Sequence, residues 1–143
     1  MKKLCLLTLC LTALLLTSCA TVWKAVTEAS PYNIGRNATL VYLLGQKQLK
    51  ENQKNAIKVA YLKFEELTMS IKVEEIDTLK PLLDKEVREL IKDDKLYDLA
   101  SGLIDSAWAK LVSEHNVDKL TNSETYRIII EFRQGIRDAL KTL

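Results

Sequence analysis

The sequence predicts an all-α protein: about five helices in a compact single-domain bundle, behind a cleaved N-terminal signal. Three observations carry that expectation. Glycine and proline are scarce, at 4 and 2 of 143 residues, so few positions interrupt a helix. Apolar residues recur at spacings of three and four in segment after segment. Residues that favour helix starts stand before most of those segments. The length suits one domain, and 48% apolar with 28% charged residues is ordinary for a globular chain.

The first helix of the domain is expected near Ser30, a capping residue, with Pro31 at the first helical position, where its missing N–H has no helical partner to lose. Ala38 to Leu44 reads ATLVYLL, apolar on nearly every side, and a helix apolar all round is usually buried. This is the expected central helix. The second helix runs from about Glu51 to Ile71, with Ile57, Ala60, Phe64, Leu67 and Ile71 in one stripe. Lys50, Lys54 and Lys58 fall at i, i+4 and i+8 on another face, either solvated or set against anionic lipid headgroups.

In the third helix Asp77 is the expected cap and Pro81 lies within the first turn, with Leu79, Leu83, Val87 and Leu90 buried. Asp93 or Asp94 caps the fourth. There Leu96, Leu99, Ala100, Leu103, Ile104, Ala107 and Leu111 draw the clearest amphipathic pattern in the chain, with Trp108 bordering it. SEHNVDKLTNSET reads as a polar connection containing His115. Thr121, Asn122 or Ser123 then caps a last helix. Its stripe is Ile129, Phe132, Ile136, Ala139 or Leu140, and Leu143, and Gly135 is placed to permit a close helix approach. YRIIIEF is β-branched enough to suit a strand, but its caps and flanks favour helix.

The N-terminus reads as a targeting segment. Lys2 and Lys3 precede an apolar run from Leu4 to Leu16, and small residues follow. That run is too short to span a bilayer comfortably, which takes about 20 residues. Leu16-Thr17-Ser18-Cys19 resembles the bacterial lipobox, the signature of lipoprotein precursors: a branched apolar residue and two small ones before a cysteine. The resemblance implies a diacylglyceryl group on the Cys19 sulfur and cleavage between Ser18 and Cys19. It also implies frequent acylation of the new amine with a palmitate-type chain. Residues 1–18 are then the signal peptide, 19–30 a lipidated tether and 31–143 the helical domain. By the same resemblance, Ala20 after the cysteine favours the outer membrane of a Gram-negative host. Two or more acyl chains give stable attachment where one does not.

Cleavage would leave 125 of the 143 residues and remove Lys2 and Lys3, taking the formal charge from +2 to zero. The basic balance then belongs to the signal, and no nucleic-acid partner is expected. Cys5 and Cys10 leave with the signal as well. Trp23, four residues after the anchor, is placed either at the headgroup level or against the domain. Charge is segregated along the remainder: net +5 from Lys24 to Phe64, −7 from Glu65 to Asp118 and +2 from Lys119 onward.

No catalytic signature emerges. The sole histidine has no nucleophile motif around any serine to serve, and neither a metal nor another cofactor is expected. The leading expectation is a lipid-anchored, non-enzymatic envelope module acting by contact with the membrane and a protein partner. One alternative is a cell-wall hydrolase using paired carboxylates such as Glu74 and Glu75. Another is a self-associating structural envelope protein. The stretch from ATLVYLLGQKQLKENQKNAIKVAYLKFEEL into the acidic helices is similar to small helical proteins encoded by bacteriophages and prophages. That similarity implies a phage or prophage lipoprotein that blocks infection by other phages.

Overall fold

The computed structural model describes residues 30–46 and 48–143. They form α1 (Pro31–Gly45), α2 (Glu51–Ser70), α3 (Leu79–Leu90), α4 (Asp94–His115) and α5 (Asn122–Leu140), with short 3₁₀ helices at Val73–Thr78 and Val117–Lys119. No strand occurs among the described residues. The all-α, five-helix expectation holds.

Most helix starts follow from the expected chemistry. The Ser30 hydroxyl accepts from the Asn33 amide at 3.3 Å, ahead of Pro31. Gln53 accepts from the Lys50 amide at 2.8 Å at the head of α2. Asp93 accepts from the Leu96 amide at 2.9 Å and caps α4. Thr121 and Glu124 form a capping box at the head of α5, each side chain accepting from the other's backbone N–H.

One expected cap is corrected. Asp77 does not start α3. It lies exposed inside the 3₁₀ helix, and Thr78 occupies the cap position with its hydroxyl donating back to the Glu75 carbonyl at 2.7 Å. The extra 3₁₀ turn buries Ile76, which the expected start left outside the helix.

The polar connection is also shorter than expected. α4 continues through His115, which is half-buried, and stops where Asn116 turns left-handed at φ 47°. Asn tolerates that conformation better than most residues.

The core contains the predicted stripes. Ile57, Ala60, Phe64 and Leu67 from α2 are buried, as are Leu79, Leu83 and Val87 from α3. Ala100, Leu103, Ile104, Ala107 and Leu111 come from α4, and Ile129, Phe132, Ile136 and Ala139 from α5. At their meeting point Phe64, Phe132 and Trp108 stack edge to face, with centroids 6.2 to 6.4 Å apart. Leu90 is the exception in α3, at 54% exposure. Ile91, one residue on, turns inward as the helix ends. Lys80 ties α3 to α4 by reaching both Asp84 and, at 2.6 Å, Asp105. Burial alone would lower the Lys80 ammonium, but the two carboxylates outweigh it and hold it above its ordinary value.

The largest correction concerns α1. It is not an enclosed central helix. Ile34, Gly35 and Thr39 are buried, while Val41 is 70% and Leu44 84% exposed. The reason is how the helix docks. A Cβ added at Gly35 would lie 2.2 Å from the Phe132 carbonyl oxygen, and one at Gly135 would lie 2.0 Å from that of Tyr32. α1 and α5 therefore cross in backbone contact, a distance only glycine permits. α1 also meets α4, where the Tyr42 hydroxyl donates to the Leu99 carbonyl at 2.8 Å. No described helix covers the opposite side of α1.

Two predictions follow from this packing. Gly135→Ala and Gly35→Ala must separate two backbones, so each is expected to cost at least the ~1–3 kcal/mol of an overpacked core. Gly45→Ala, where a Cβ meets nothing, should be neutral or stabilising by up to about 1 kcal/mol. Urea melts followed by circular dichroism compare the three. The Thr39 hydroxyl is fully buried with no hydrogen-bond partner among the described residues. Thr39→Val should therefore raise stability by about 1 kcal/mol in the same melts, since an unsatisfied buried hydroxyl costs roughly that much.

Candidate interaction surface

The large apolar side chains left exposed are Val41 and Leu44 on α1, Val59, Leu62 and Met69 on α2 and Leu90 on α3, and the two on α1 include the most exposed of all. Val41 and Leu44 lie three residues apart, and so on one face of the helix. Each borders an open hollow. Val41 lines a groove of about 430 Å³ between α1 and α4, with Ile34, Ala38 and Tyr42 along it and Ser106 and Lys110 on the α4 side. Leu44 lines a second hollow of about 560 Å³, shared with Leu40, Leu43, Leu49, Lys54 and Leu143. Both hollows are mostly apolar. Scattered exposed leucines are normal on a protein surface, but on this strip of α1 both exposed residues also border a hollow.

Of the three lysines singled out from the sequence, Lys54 lines the Leu44 hollow and the other two differ from it. Lys50 and Lys58 are exposed. Lys54 is half-buried, and its ammonium donates to the Leu143 carbonyl at 3.2 Å, pinning the end of the chain to α2. On the groove's far side Lys110 pairs with Glu114 at 2.5 Å. That ammonium and the hydrogen bond it donates hold the Glu114 carboxyl below its ordinary value. Ser18, Cys19 and Trp23 lie outside the described residues.

The other sequence candidates fall elsewhere. Glu74 and Glu75 are exposed neighbours on the first 3₁₀ helix, and the Glu74 carbonyl accepts from the Asn122 side chain at 3.3 Å. A glycosidase pair instead flanks a bond, its carboxyls some 5 to 10 Å apart across a cleft. His115 closes α4. Among the described residues no group of three or more His, Cys, Asp or Glu is placed to hold a metal ion, and no helix is long and apolar enough to cross a membrane.

Sequence reasoning missed a polar seam where α5 packs on α2. Tyr61 donates to Glu65 at 3.2 Å, Arg137 lies 3.6 Å from the same carboxylate, and Arg133 donates to the buried Thr68 hydroxyl at 3.0 Å. Burial, and then the charge of Glu65, push the Tyr61 hydroxyl well above its ordinary value. Its partners are 65 or more residues apart in sequence for the Arg133 bond, so no local pattern signals it.

Another long-range tie joins the ends of the domain: Tyr32 donates to Asp138 at 3.0 Å. A scan against protein-family models, a search of curated proteins and a search of solved structures each returned no match to this chain.

The Tyr32–Asp138 tie generates a pH prediction. Hydrogen bonds from Lys141 first and Tyr32 second hold the Asp138 carboxyl below its ordinary value. The hydrogen bond to Asp138 raises the Tyr32 hydroxyl above its own. A carboxyl depressed on folding stabilises above its unfolded value of about 4, and that contribution disappears as pH falls through the folded value. A raised tyrosine stabilises below about 10 and ceases to as pH climbs through its folded value. Asp138→Asn should therefore flatten both the acid and the alkaline limbs of the melting-temperature profile. Tyr32→Phe should remove the Tyr32 share of the alkaline limb, leaving that of Tyr42 and Tyr61, and only part of the Asp138 share of the acid one, because Lys141 still holds Asp138.

Proposed function

We propose that this chain is a lipid-anchored envelope lipoprotein that works by contact rather than by catalysis. The observation that carries the reading is Leu16-Thr17-Ser18-Cys19 placed directly after a charged and then an apolar segment. Cleavage there would leave Cys19 acylated and followed by a tether of residues 20–30 leading into α1. Ala20 favours delivery to the outer membrane in a Gram-negative host. The exposed strip on α1 supports an interaction role, because apolar surface held beside a membrane is positioned to meet a lipid or protein partner. The similarity to phage-encoded helical proteins would make that partner a component of infection at the cell surface.

The test uses the whole chain in bacteria fed a palmitate label, with crosslinking in intact cells. The native chain is expected to take up label on Cys19, fractionate with membranes and capture a discrete partner. Cys19→Ser should lose all three. Identical labelling and capture by the two forms would sink the reading. Glu74→Gln with Glu75→Gln should leave capture unchanged, whereas loss of a cell-wall lytic activity in that double variant would favour the hydrolase.

A further inference from the structure

The end of α1 and the start of α2 meet at one hollow, which Leu44 and Leu49 line together with Lys54; Lys50 follows Leu49 in the chain, and Lys58 lies one helical turn beyond Lys54. That meeting place is one pole of α1. We propose that this pole is a second, protein-borne contact with an anionic bilayer. Val41 and Leu44 would enter the headgroup region, and the exposed Lys50 and Lys58 would meet lipid phosphates, while Lys54 stays with the Leu143 carbonyl. The proposal deepens the lipoprotein reading and rests on it.

Three observations favour lipid as the occupant. First, apolar and basic groups stand together: Leu44 is 84% exposed and shares a hollow with Leu49 and Lys54, so greasy and cationic groups line the same depression. Such a surface lies in the interface plane, apolar groups down and basic groups at phosphate depth. Second, the start of α2 offers free cations. Lys50 and Lys58 are exposed and unpaired by any ion pair within 4.0 Å among the described residues, with Glu51 the one acidic side chain between them. On the α4 side Asp105 lies close enough to act on Tyr42, so the basic edge is the one that α2 supplies. Exposed lysines beside apolar side chains complement anionic headgroups.

Third, the tether reaches. The pole lies at the far end of α1 from Ser30, and 15 helical residues span about 22 Å. The ten residues between Cys19 and Ser30 extend to roughly 33 Å. An anchored Cys19 and a docked α1 end are therefore compatible. Two weak contacts on one molecule also reinforce each other, because the first supplies the second at high local concentration.

The test places a benzophenone side chain at Leu44 in the full chain, with the same group at exposed Lys85 on α3 as the control position. Each form is purified and reconstituted into vesicles of phosphatidylethanolamine with phosphatidylglycerol, then illuminated, and the adducts are read by mass spectrometry. Position 44 is expected to form phospholipid adducts at about tenfold the yield of position 85. Lys50→Gln with Lys58→Gln should cut that yield by about fivefold or more, since one lysine near a charged surface is worth about that factor. Vesicles of phosphatidylcholine alone should do the same.

Equal lipid yields at the two positions would overturn the proposal. So would adducts at position 44 to a second copy of the chain or to a protein partner in cells. The N-terminal peptide from each preparation is weighed in parallel. An unmodified Cys19 with lipid adducts at 44 would retire the anchor and keep the docking pole. An acylated Cys19 without adducts at 44 would keep the anchor and retire the pole.

Discussion

The fold depends on one contact between two backbones. Gly35 and Gly135 let α1 and α5 approach until the carbonyls of Phe132 and Tyr32 occupy the space where side chains would otherwise stand. Glycine in a helix costs about 1 kcal/mol relative to alanine, so two of them at one crossing must be compensated by close packing along its length. Phe132 shows how. Its carbonyl faces Gly35 while its ring sits edge-on to Phe64 and Trp108, so one residue joins the glycine crossing to the aromatic centre of α2 and α4. A separation of α1 from α5 would therefore disturb the core as well as the crossing.

The same constraint exposes the rest of α1. A helix that docks through a glycine spends its narrowest face on its neighbour. Its bulky residues must then point sideways or away. Tyr42 goes sideways to α4, where Gly102 leaves room for its hydroxyl, and Val41 and Leu44 go outward. The exposed strip and the close crossing are two consequences of one arrangement.

That arrangement marks where the sequence was legible. Helix number, the stripes of α2, α4 and α5, and the caps Ser30, Asp93 and Thr121 all rest on local spacing, which composition and periodicity report directly. Gly135 falls beside the Phe132 and Ile136 stripe, which marks it as a place for close approach. Gly35 follows Ile34 with no such stripe around it to mark it. Without that pairing ATLVYLL reads as buried on every side, since apolarity reports what a segment tolerates and not which neighbours it meets. Asp77 and Leu90 differ for a smaller reason, since element ends shift by a residue or two: a 3₁₀ turn is inserted ahead of α3, and at its other end the helix stops so that Ile91 turns inward in place of Leu90. The Tyr61–Glu65–Arg137 seam joins two distant helices, and nothing local announces it.

Charge and apolarity separate across the domain in a way that stability does not require. The ion pairs that do form are mostly within a helix or between adjacent ones: Lys63 with Glu66 and Glu86, Lys80 with Asp84, Lys110 with Glu114. Exposed pairs of this kind contribute little each. Lys50, Lys54 and Lys58 are left out of that network, and Lys54 shares a hollow with the exposed Leu44. Either feature alone is unremarkable on a protein surface. Their nearness at the hollow that Leu44, Leu49 and Lys54 share is the feature that packing alone does not account for. Under the proposed lipoprotein reading it would separate a domain merely tied to a membrane from one that rests on it: the first would need only Cys19, while the second would need a face, and α1 exposes one because Gly35 spends its other side on α5.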